Sequence, residues 1–199
     1  MKKELSVKVI NNGILLPPRK DRSKDWGLGG VVDNEGNFVD DSIYRFYFGG
    51  YYAFNESNVK NSEDAVIYLG HLIPHWGVFF EDFTRRMWYY YKCKHPNVKL
   101  AFYGINMPSE GFKSMGGIFH DFLKFANIDE SLVVDVKEIT RFKTIYVPEM
   151  GYDEDKNYCS QEYLLTFDHI INNVSKTVSE DPSLNPYGTP KKIYLSRAL

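Results

Sequence analysis

The sequence predicts an α/β fold around a largely parallel sheet, and two features of the chain carry this prediction. From residue 65 onward, short apolar runs typical of buried strands alternate with longer segments whose apolar residues recur at helical spacing. Glycines directly follow two of the predicted strands, at Gly70 and Gly104. This alternation favours parallel strands joined by right-handed crossovers, and ligands of such sheets bind beyond the carboxyl ends of the strands.

The first 64 residues predict a β-rich segment that packs on the main domain. Residues 6–16 are typical of a strand interrupted at Asn12-Gly13. Residues 30–47 have the pattern of a hairpin, with an apolar pair, the turn Asp33-Asn34-Glu35-Gly36 and then alternation. We therefore assign residues 1–64 to this segment.

The main α/β domain is expected to span residues 65–178. Its predicted strands cover residues 65–69, 98–103, 132–136 and 144–147. Its predicted helices begin near Trp76 and near Phe112, and the third spans residues 161–178. Apolar residues at helical spacing predict the buried faces of these helices. They are Trp76, Phe79, Phe80, Phe83, Met87 and Tyr91 in the first helix, Met115, Phe119, Phe122 and Phe125 in the second, and Leu164, Phe167, Ile171, Val174 and Val178 in the third.

Two short segments follow the third helix. Residues 179–190 are polar and contain prolines, which predicts a linker. Residues 191–199 include the run Lys192-Ile193-Tyr194-Leu195-Ser196, which we interpret as the first strand of a second domain that is otherwise largely absent.

Composition and charge argue against several classes of protein. The net charge is −2 and the isoelectric point is about 6.2, with no basic stripe, so nucleic-acid binding is not expected. No apolar run approaches the ~20 residues that a membrane span needs, and the N-terminus does not resemble a signal peptide. Cys93 and Cys159 lie far apart without metal-binding spacing, so we expect free thiols in a reducing, cytoplasmic compartment.

Two histidines occupy the loop between the first predicted strand and helix of the main domain. His71 and His75 flank Pro74 there. A histidine beyond the carboxyl end of a strand can act as a general base near neutral pH, for example toward a sugar hydroxyl. The alternative is a structural histidine that caps the helix or bonds a backbone carbonyl.

Acid–arginine pairs follow on the predicted helix. Glu81 and Arg85, and Asp82 and Arg86, stand four residues apart and are therefore neighbours on a helix surface. Such pairs usually form a solvated ionic face, whereas an arginine in a cleft can bind phosphate through its fork of donors. Metal binding is not expected, because Pro74 breaks the helical spacing of the two histidines and no His-Glu-x-x-His or Asp-x-Asp motif occurs.

Several motifs are spread over most of the chain, and their order resembles that in glycosyltransferase family 61. This family includes enzymes of capsular polysaccharide biosynthesis. No single motif is specific, and the resemblance lies in their succession. The motifs are Gly29-Gly30-Val31-Val32-Asp33-Asn34-Glu35-Gly36-Asn37, Gly70-His71, His75-Trp76-Gly77, Asp82, Arg86, Trp88, Phe102-Tyr103-Gly104, Thr140-Arg141-Phe142, Val147-Pro148-Glu149 and Ile193-Tyr194-Leu195-Ser196-Arg197.

The resemblance implies a GT-B type glycosyltransferase, in which two Rossmann-like domains face a cleft. It implies inverting transfer with no bound metal and no cofactor besides the nucleotide-sugar donor. The first domain would take the glycan acceptor and the second the nucleotide sugar. This chain would then be the Rossmann-like acceptor domain, preceded by the β-hairpin segment and followed by the first strand of the donor domain.

The leading hypothesis is a glycosyltransferase, or its acceptor-binding N-terminal half, in capsule or cell-surface polysaccharide synthesis. His75 would be the general base, and Asp82 would orient it or bind acceptor hydroxyls. Arg86 would steady the loop or the leaving phosphate. The other residues expected to bind substrate are His71, Trp76, Tyr103 and Gly104.

The alternative hypothesis is a non-catalytic carbohydrate-binding or scaffold protein that has kept an acceptor groove. Val78 favours this alternative, because family members carry a second histidine at that position. A hydrolase would need a placed nucleophile, and no Gly-x-Ser-x-Gly motif occurs. The expected partners are a glycan acceptor and, where the second domain is present, a nucleotide sugar. The hypothesis also allows peripheral association with the inner face of the membrane and a homo-oligomer.

Overall fold

The computed structural model describes residues 4–21, 24–43, 48–107, 111, 115–153 and 157–181. The strands are β1 (Val7–Asn11), β2 (Ile14–Asp21), β3 (Lys24–Val32), β4 (Lys60–Leu72), β5 (Lys99–Gly104), β6 (Val133–Asp135), β7 (Thr140–Pro148), β8 (Tyr152–Asp153) and β9 (Tyr158–Cys159). The helices are α1 (Trp76–Asp82), α2 (Trp88–Lys92), α3 (Gly117–Phe125) and α4 (Gln161–Glu180), and 3₁₀ turns occupy Asp40–Ser42, Glu56–Asn58 and Glu130–Leu132.

Seven strands form one sheet in the order β3-β2-β7-β4-β5-β6, with β1 also paired to β7. Each of the pairs β4–β5, β4–β7 and β5–β6 is parallel. Across the sheet, the parallel strands therefore lie in the order β6, β5, β4 and β7, which are the third, second, first and fourth of them in the chain. The first four strands of a doubly wound α/β sheet have the same order. The prediction of an α/β fold with a mostly parallel central sheet is confirmed.

The N-terminal strands extend this sheet beyond β7. β1 and β2 both run antiparallel to β7, and the break between them falls at Asn12 (φ +53°), as the pattern at Asn12-Gly13 predicts. β2 then forms an antiparallel pair with β3. The first parallel strand, β4, already begins at Lys60, on the N-terminal side of the predicted segment boundary at residue 65.

The hairpin predicted at residues 30–47 is confirmed as far as Val39, whose N–H donates to Val31 O at 2.9 Å, and is wrong for residues 40–43. Asp33 and Gly36 form the turn, and Val32 meets Phe38 in an isolated bridge. The chain then enters the 3₁₀ turn Asp40–Ser42, because the Ser42 hydroxyl accepts the N–H of Val31 at 2.9 Å and donates to Val39 O. Residues 44–47 lie outside the described part of the chain.

Alternate side chains of the parallel strands build a core on each face of the sheet. One face packs against the helices, and the other packs against β2, β3 and the segment that follows them. The helix-side cluster includes Ile67, Leu69, Leu100, Phe102, Phe79, Phe83 and Phe122, and the opposite cluster includes Val66, Tyr68, Ala101, Tyr103, Val31, Val39, Phe48 and Val136. Full burial of a leucine or phenylalanine stabilises the fold by about 1.5–3 kcal/mol, so both faces contribute substantially.

The segment from α1 to α2 confirms the apolar stripe of the first predicted helix. Phe79, Phe83 and Met87 are fully buried, and Phe79 stacks on Phe83 with ring centroids 5.0 Å apart. Helix α1 ends at Asp82, and residues 83–87 continue as tight turns before α2 begins. The side chain of Trp76 lies outside the described part of the structure, so its predicted burial is not tested.

The second and third predicted helices are present with altered bounds. Phe119 and Phe122 are buried as expected, but α3 begins at Gly117, several residues after Phe112, and residues 112–114 lie outside the description. Helix α4 continues through Glu180, two residues into the predicted linker. Residues 182–199, which include the rest of the linker and the strand expected at 191–199, are not described.

The buried face of α4 differs in part from the prediction, although Phe167 contacts Phe80 as expected, with ring centroids 6.2 Å apart. Leu164 and Ile171, expected to point inward, are 46% and 58% exposed. Tyr163 and Asn173 face inward instead, where the Tyr163 hydroxyl lies 3.3 Å from Thr84 Oγ1 and Asn173 Nδ2 donates to Phe125 O at 2.7 Å. These hydrogen bonds to the α1–α2 turn and to α3 set the rotation of α4, which apolar spacing alone cannot reveal.

Candidate functional site

The parallel strands end close together at one edge of the sheet. β4 ends at Leu72 and β5 at Gly104, and these two residues are paired in the register of the sheet. β6 ends at Asp135 and β7 at Pro148. Because α/β proteins bind ligands outside this edge, most strongly where the strand order reverses, we built the candidate site from the residues around it.

His75 lies at this edge and is exposed to solvent. Its extended backbone (φ −124°, ψ 120°) places it at the N-cap of α1, where its carbonyl accepts the N–H of Phe79 at 2.8 Å. Its side chain makes no capping hydrogen bond, so the imidazole does not cap the helix, which was the alternative role for this histidine. An exposed histidine at a strand end has the access that a general base needs, and this role remains a prediction.

His71 and Asp82 form a buried pair. His71 Nε2 lies 3.1 Å from Asp82 Oδ2, and the side chains are 2% and 1% exposed. The register of β4 shifts between Tyr68 and Gly70, where Gly70 has a φ of +100°, and His71 packs edge-on against Phe48 at 5.1 Å. The carboxylate predicted to orient His75 therefore contacts His71, which lies inside the protein.

Arg86 is buried and bonded to backbone carbonyls. Its Nε donates to Pro148 O at 2.9 Å, and its Nη2 donates to Asp41 O at 2.8 Å and Ile43 O at 3.2 Å. The guanidinium also lies 5.3 Å from the ring centroid of Tyr68. Arg86 therefore joins the end of β7 to the 3₁₀ turn at residues 40–42, which agrees with the predicted role of steadying a loop rather than with phosphate binding.

Arg85 and Trp88 hold the segment that leaves β7. The carbonyl of Arg85 accepts the N–H of Gly151 at 2.8 Å, and Trp88 Nε1 donates to Glu149 O at 2.9 Å. The Arg85 guanidinium pairs with Glu81, as the four-residue spacing predicts, and lies 5.2 Å from the ring centroid of Tyr152. The pair is not a solvated face, because Arg85 is only 3% exposed.

Tyr103 lies in the core, and Gly104 lies at the edge of the sheet. Tyr103 is fully buried, and its hydroxyl donates to Gly30 O at 2.9 Å. Burial raises the pKa of Tyr103 well above its ordinary value. The predicted contact of Tyr103 with substrate would require this core to open. Gly104 is half-buried, and its N–H donates to Asp135 Oδ1 at 2.9 Å.

An acidic cleft of about 790 Å³ opens beside the end of β7. Four parts of the chain contribute to it: the segment before β1, the 3₁₀ turn at residues 40–42, Arg86 and the segment after β7. The lining residues are Glu4, Ser6, Asp40, Asp41, Ile43, Arg86, Glu149, Met150, Asp153 and Tyr158. Arg86 is the residue shared by this cleft and the predicted site.

The charge of the cleft is strongly negative. Among its lining residues, carboxylates outnumber the single guanidinium, which donates to backbone carbonyls. Glu149 Oε2 accepts hydrogen bonds from the Ser6 N–H at 3.2 Å and from Ser6 Oγ at 3.1 Å. Lys8 forms an ion pair with Asp41. A cleft lined by one sign of charge repels ligands of the same sign, so this one disfavours phosphates.

The sequence analysis missed the acidic cleft. Its acids are spread from residue 4 to residue 158, and no local motif joins them. The available signal was Val147-Pro148-Glu149, where an acid directly follows a strand end. Within the described residues, no group of three or more His, Cys, Asp or Glu side chains is arranged to hold a metal ion.

Comparisons with known proteins find no match to any family model, curated protein or solved structure. Among the described residues, no helix has the length and apolar character required to cross a membrane.

Proposed function

We propose that this chain is the Rossmann-like, acceptor-binding domain of a metal-independent glycosyltransferase of the GT-B type, similar to family 61. It would act in capsule or cell-surface polysaccharide synthesis at the cytoplasmic face of the membrane. Three observations support this proposal. They are the order of the four parallel strands, the cleft beside β7, which is the neighbour of β4 in the sheet, and the succession of motifs in the sequence.

The acidic cleft is the observation that carries this proposal. Carboxylates accept hydrogen bonds from hydroxyl groups, of which a glycan offers many, and Tyr158 adds an aromatic side chain of the kind on which sugars stack. The same carboxylates repel the diphosphate of a nucleotide sugar. The cleft therefore suits the acceptor, and the donor would need binding groups elsewhere.

In the proposed reaction, an acceptor hydroxyl oxygen attacks the anomeric carbon of the nucleotide sugar. The bond between that carbon and the diphosphate oxygen breaks, and the leaving nucleoside diphosphate takes its electron pair. His75 accepts the proton of the attacking hydroxyl. Asp82 and His71 support the α1 region from inside the protein, and Arg86 holds the side of the cleft formed by residues 41–43.

Isothermal calorimetry with a panel of neutral tri- and tetrasaccharides, and with UDP-glucose, tests this assignment. We expect an oligosaccharide to bind with a Kd near 1 mM, about −4 kcal/mol, and UDP-glucose to bind more weakly. Asp40→Asn and Asp153→Asn should weaken oligosaccharide binding severalfold. Glu56→Gln, an exposed acid outside the cleft that pairs with Arg141, is the matched control.

Binding of UDP-glucose at micromolar levels by this chain would contradict the acceptor-domain assignment and indicate a complete transferase. Oligosaccharide binding that is unchanged in both aspartate variants would remove the cleft from the proposal. The non-catalytic alternative, which Val78 favours, shares the glycan-binding cleft and differs in lacking any transfer that depends on His75.

A further inference from the structure

The ends of β5 and β6 form a second acidic feature, distinct from the acidic cleft. Asp135 is the last residue of β6 and lies beside Gly104, the last residue of β5. The Gly104 N–H donates to Asp135 Oδ1 at 2.9 Å. This bond fixes the carboxylate at the edge of the sheet where α/β proteins bind ligands. Asp135 does not line the acidic cleft.

The other carboxylate oxygen of Asp135 is buried and incompletely satisfied. Within the described residues, Oδ2 has no hydrogen-bond partner. Lys137 Nζ lies 3.7 Å from it, which is longer than a hydrogen bond. Because proteins satisfy nearly all buried polar atoms, this carboxylate oxygen can accept a further hydrogen bond, from water or from a ligand hydroxyl.

The lysine nearest to this oxygen is exposed to solvent. The Lys137 side chain is 62% exposed, whereas that of Asp135 is 13% exposed. An ion pair with so exposed a lysine contributes little, so the ammonium can leave at small cost.

Glycine at position 104 is needed for this arrangement. A Cβ there would lie 3.0 Å from Asp135 Oδ2, 3.1 Å from Oδ1 and 2.3 Å from Met107 Cγ. Any side chain at this position would therefore push against the carboxylate and against Met107. The glycine keeps both oxygens close to the chain end of β5, with the apolar Met107 side chain alongside.

We propose that Asp135 binds a vicinal diol of a sugar ring, with Lys137 as a displaceable cover. Two adjacent hydroxyls present two O–H donors that the two carboxylate oxygens can accept, and Oδ2 then gains the hydrogen bond that it lacks. Met107 offers an apolar contact to the C–H face of the ring. The ribose of a nucleoside and a pyranose of a glycan share this chemistry. The proposal does not depend on the acidic cleft or on the proposed function.

The Gly104 amide is a local reporter for this site, because its N–H is bonded to the carboxylate. We would titrate the ¹⁵N-labelled chain with uridine, with 2′,3′-dideoxyuridine and with methyl α-mannopyranoside, and follow that amide by two-dimensional NMR. We expect uridine or the mannoside to shift the Gly104 signal with a saturable, millimolar Kd, and dideoxyuridine to leave it in place. A shift with uridine alone identifies a nucleoside, and a shift with the mannoside alone identifies a glycan.

Two variants separate recognition from folding. Asp135→Asn keeps an oxygen for the Gly104 N–H but removes the second acceptor, so the Kd should rise at least tenfold. Lys137→Met removes the competing ammonium, so the Kd should stay the same or fall. An unchanged Kd in a folded Asp135→Asn protein, an equal shift with dideoxyuridine, or no shift with any probe would overturn the proposal. Asp40→Asn, in the acidic cleft, should not affect this titration.

Discussion

The Nε2 atom of His71 lies 3.1 Å from Oδ2 of Asp82 although both side chains are almost completely buried. The other carboxylate oxygen, Oδ1, lies 3.8 Å from Arg85 Nη2. The carboxylate thus lies between an imidazole and a guanidinium inside the protein. A buried group that loses its charged partner destabilises the fold by about 3–5 kcal/mol, so this relationship can be tested by unfolding.

Asp82→Ala should lower the free energy of unfolding by about 3 kcal/mol, because it removes the buried partner of His71 and one of the two carboxylates near Arg85. Urea denaturation followed by circular dichroism measures the change. Glu56→Ala removes an exposed carboxylate that is paired with Arg141, and it should cost less than about 1 kcal/mol. Equal losses in the two variants would show that the buried pair is not important for stability.

Arg86→Met should destabilise the protein by about 3 kcal/mol or more. The methionine fills much of the volume but leaves the carbonyls of Pro148, Asp41 and Ile43 without their donor, and each unsatisfied group costs about 1–3 kcal/mol. Arg141→Met, in which an arginine of an exposed ion pair is lost, serves as the control. A loss no larger than that of the control would contradict the structural role assigned to Arg86.

Stability should fall at alkaline pH because of Tyr68. Burial raises the pKa of Tyr68 to about 12, opposed in part by the positive charge of Arg86. The folded state therefore holds this proton more tightly than the unfolded state, whose tyrosine pKa is about 10. The resulting stability is complete below pH ~10 and is lost as the pH rises toward 12, with a total change of about 3 kcal/mol.

Urea denaturation at pH 9 and at pH 11.5 measures this loss. Tyr68→Phe removes the titrating group and should reduce the difference between the two pH values, at the cost of the hydrogen bond to Ser42 O. Tyr103 contributes in the same direction, so part of the alkaline loss should remain. An identical pH dependence in the Tyr68→Phe protein would contradict the prediction.

His75→Ala should separate catalysis from stability. The imidazole is exposed and makes no capping hydrogen bond, so the melting temperature should remain within about 1–2 °C of its starting value. In a form of the protein that transfers sugar, kcat should fall by about 10² or more if His75 is the general base. Unchanged turnover would exclude that role, and a large drop in melting temperature would assign His75 to the fold.

Local sequence patterns predicted the elements that depend on local spacing. The stripe of Phe79, Phe83 and Met87 is buried because its helical spacing coincides with the sheet-facing side of the α1–α2 segment. The break at Asn12-Gly13 was predictable, because asparagine tolerates the left-handed conformation that it adopts there. The rotation of α4 was not predictable, since it depends on hydrogen bonds to residues far away in the chain.

The candidate site was predictable only in its position. The glycines at 70 and 104 indicated the edge where β4 and β5 end, but β4 continues through Gly70 to Leu72, so His71 lies in the strand and not in the predicted loop. Side-chain direction there depends on a bulge in β4. That bulge brings His71 against Phe48, and the carboxylate expected to act on His75 contacts His71 instead. The acids of the cleft come from distant segments, and tertiary contacts, which leave no local motif, bring them together.

The acidic cleft can form only late in the synthesis of each molecule. Its lining extends from Glu4 to Tyr158, so the cleft cannot be complete on the ribosome until synthesis has passed Tyr158. At roughly 5–20 residues per second, synthesis of the stretch from Glu4 to Tyr158 takes about 8 to 30 seconds. The acids near the N-terminus therefore belong to an incomplete cleft until then, and a ligand of the cleft cannot act as a template for folding. The ligand can stabilise only a chain that has already assembled its sheet.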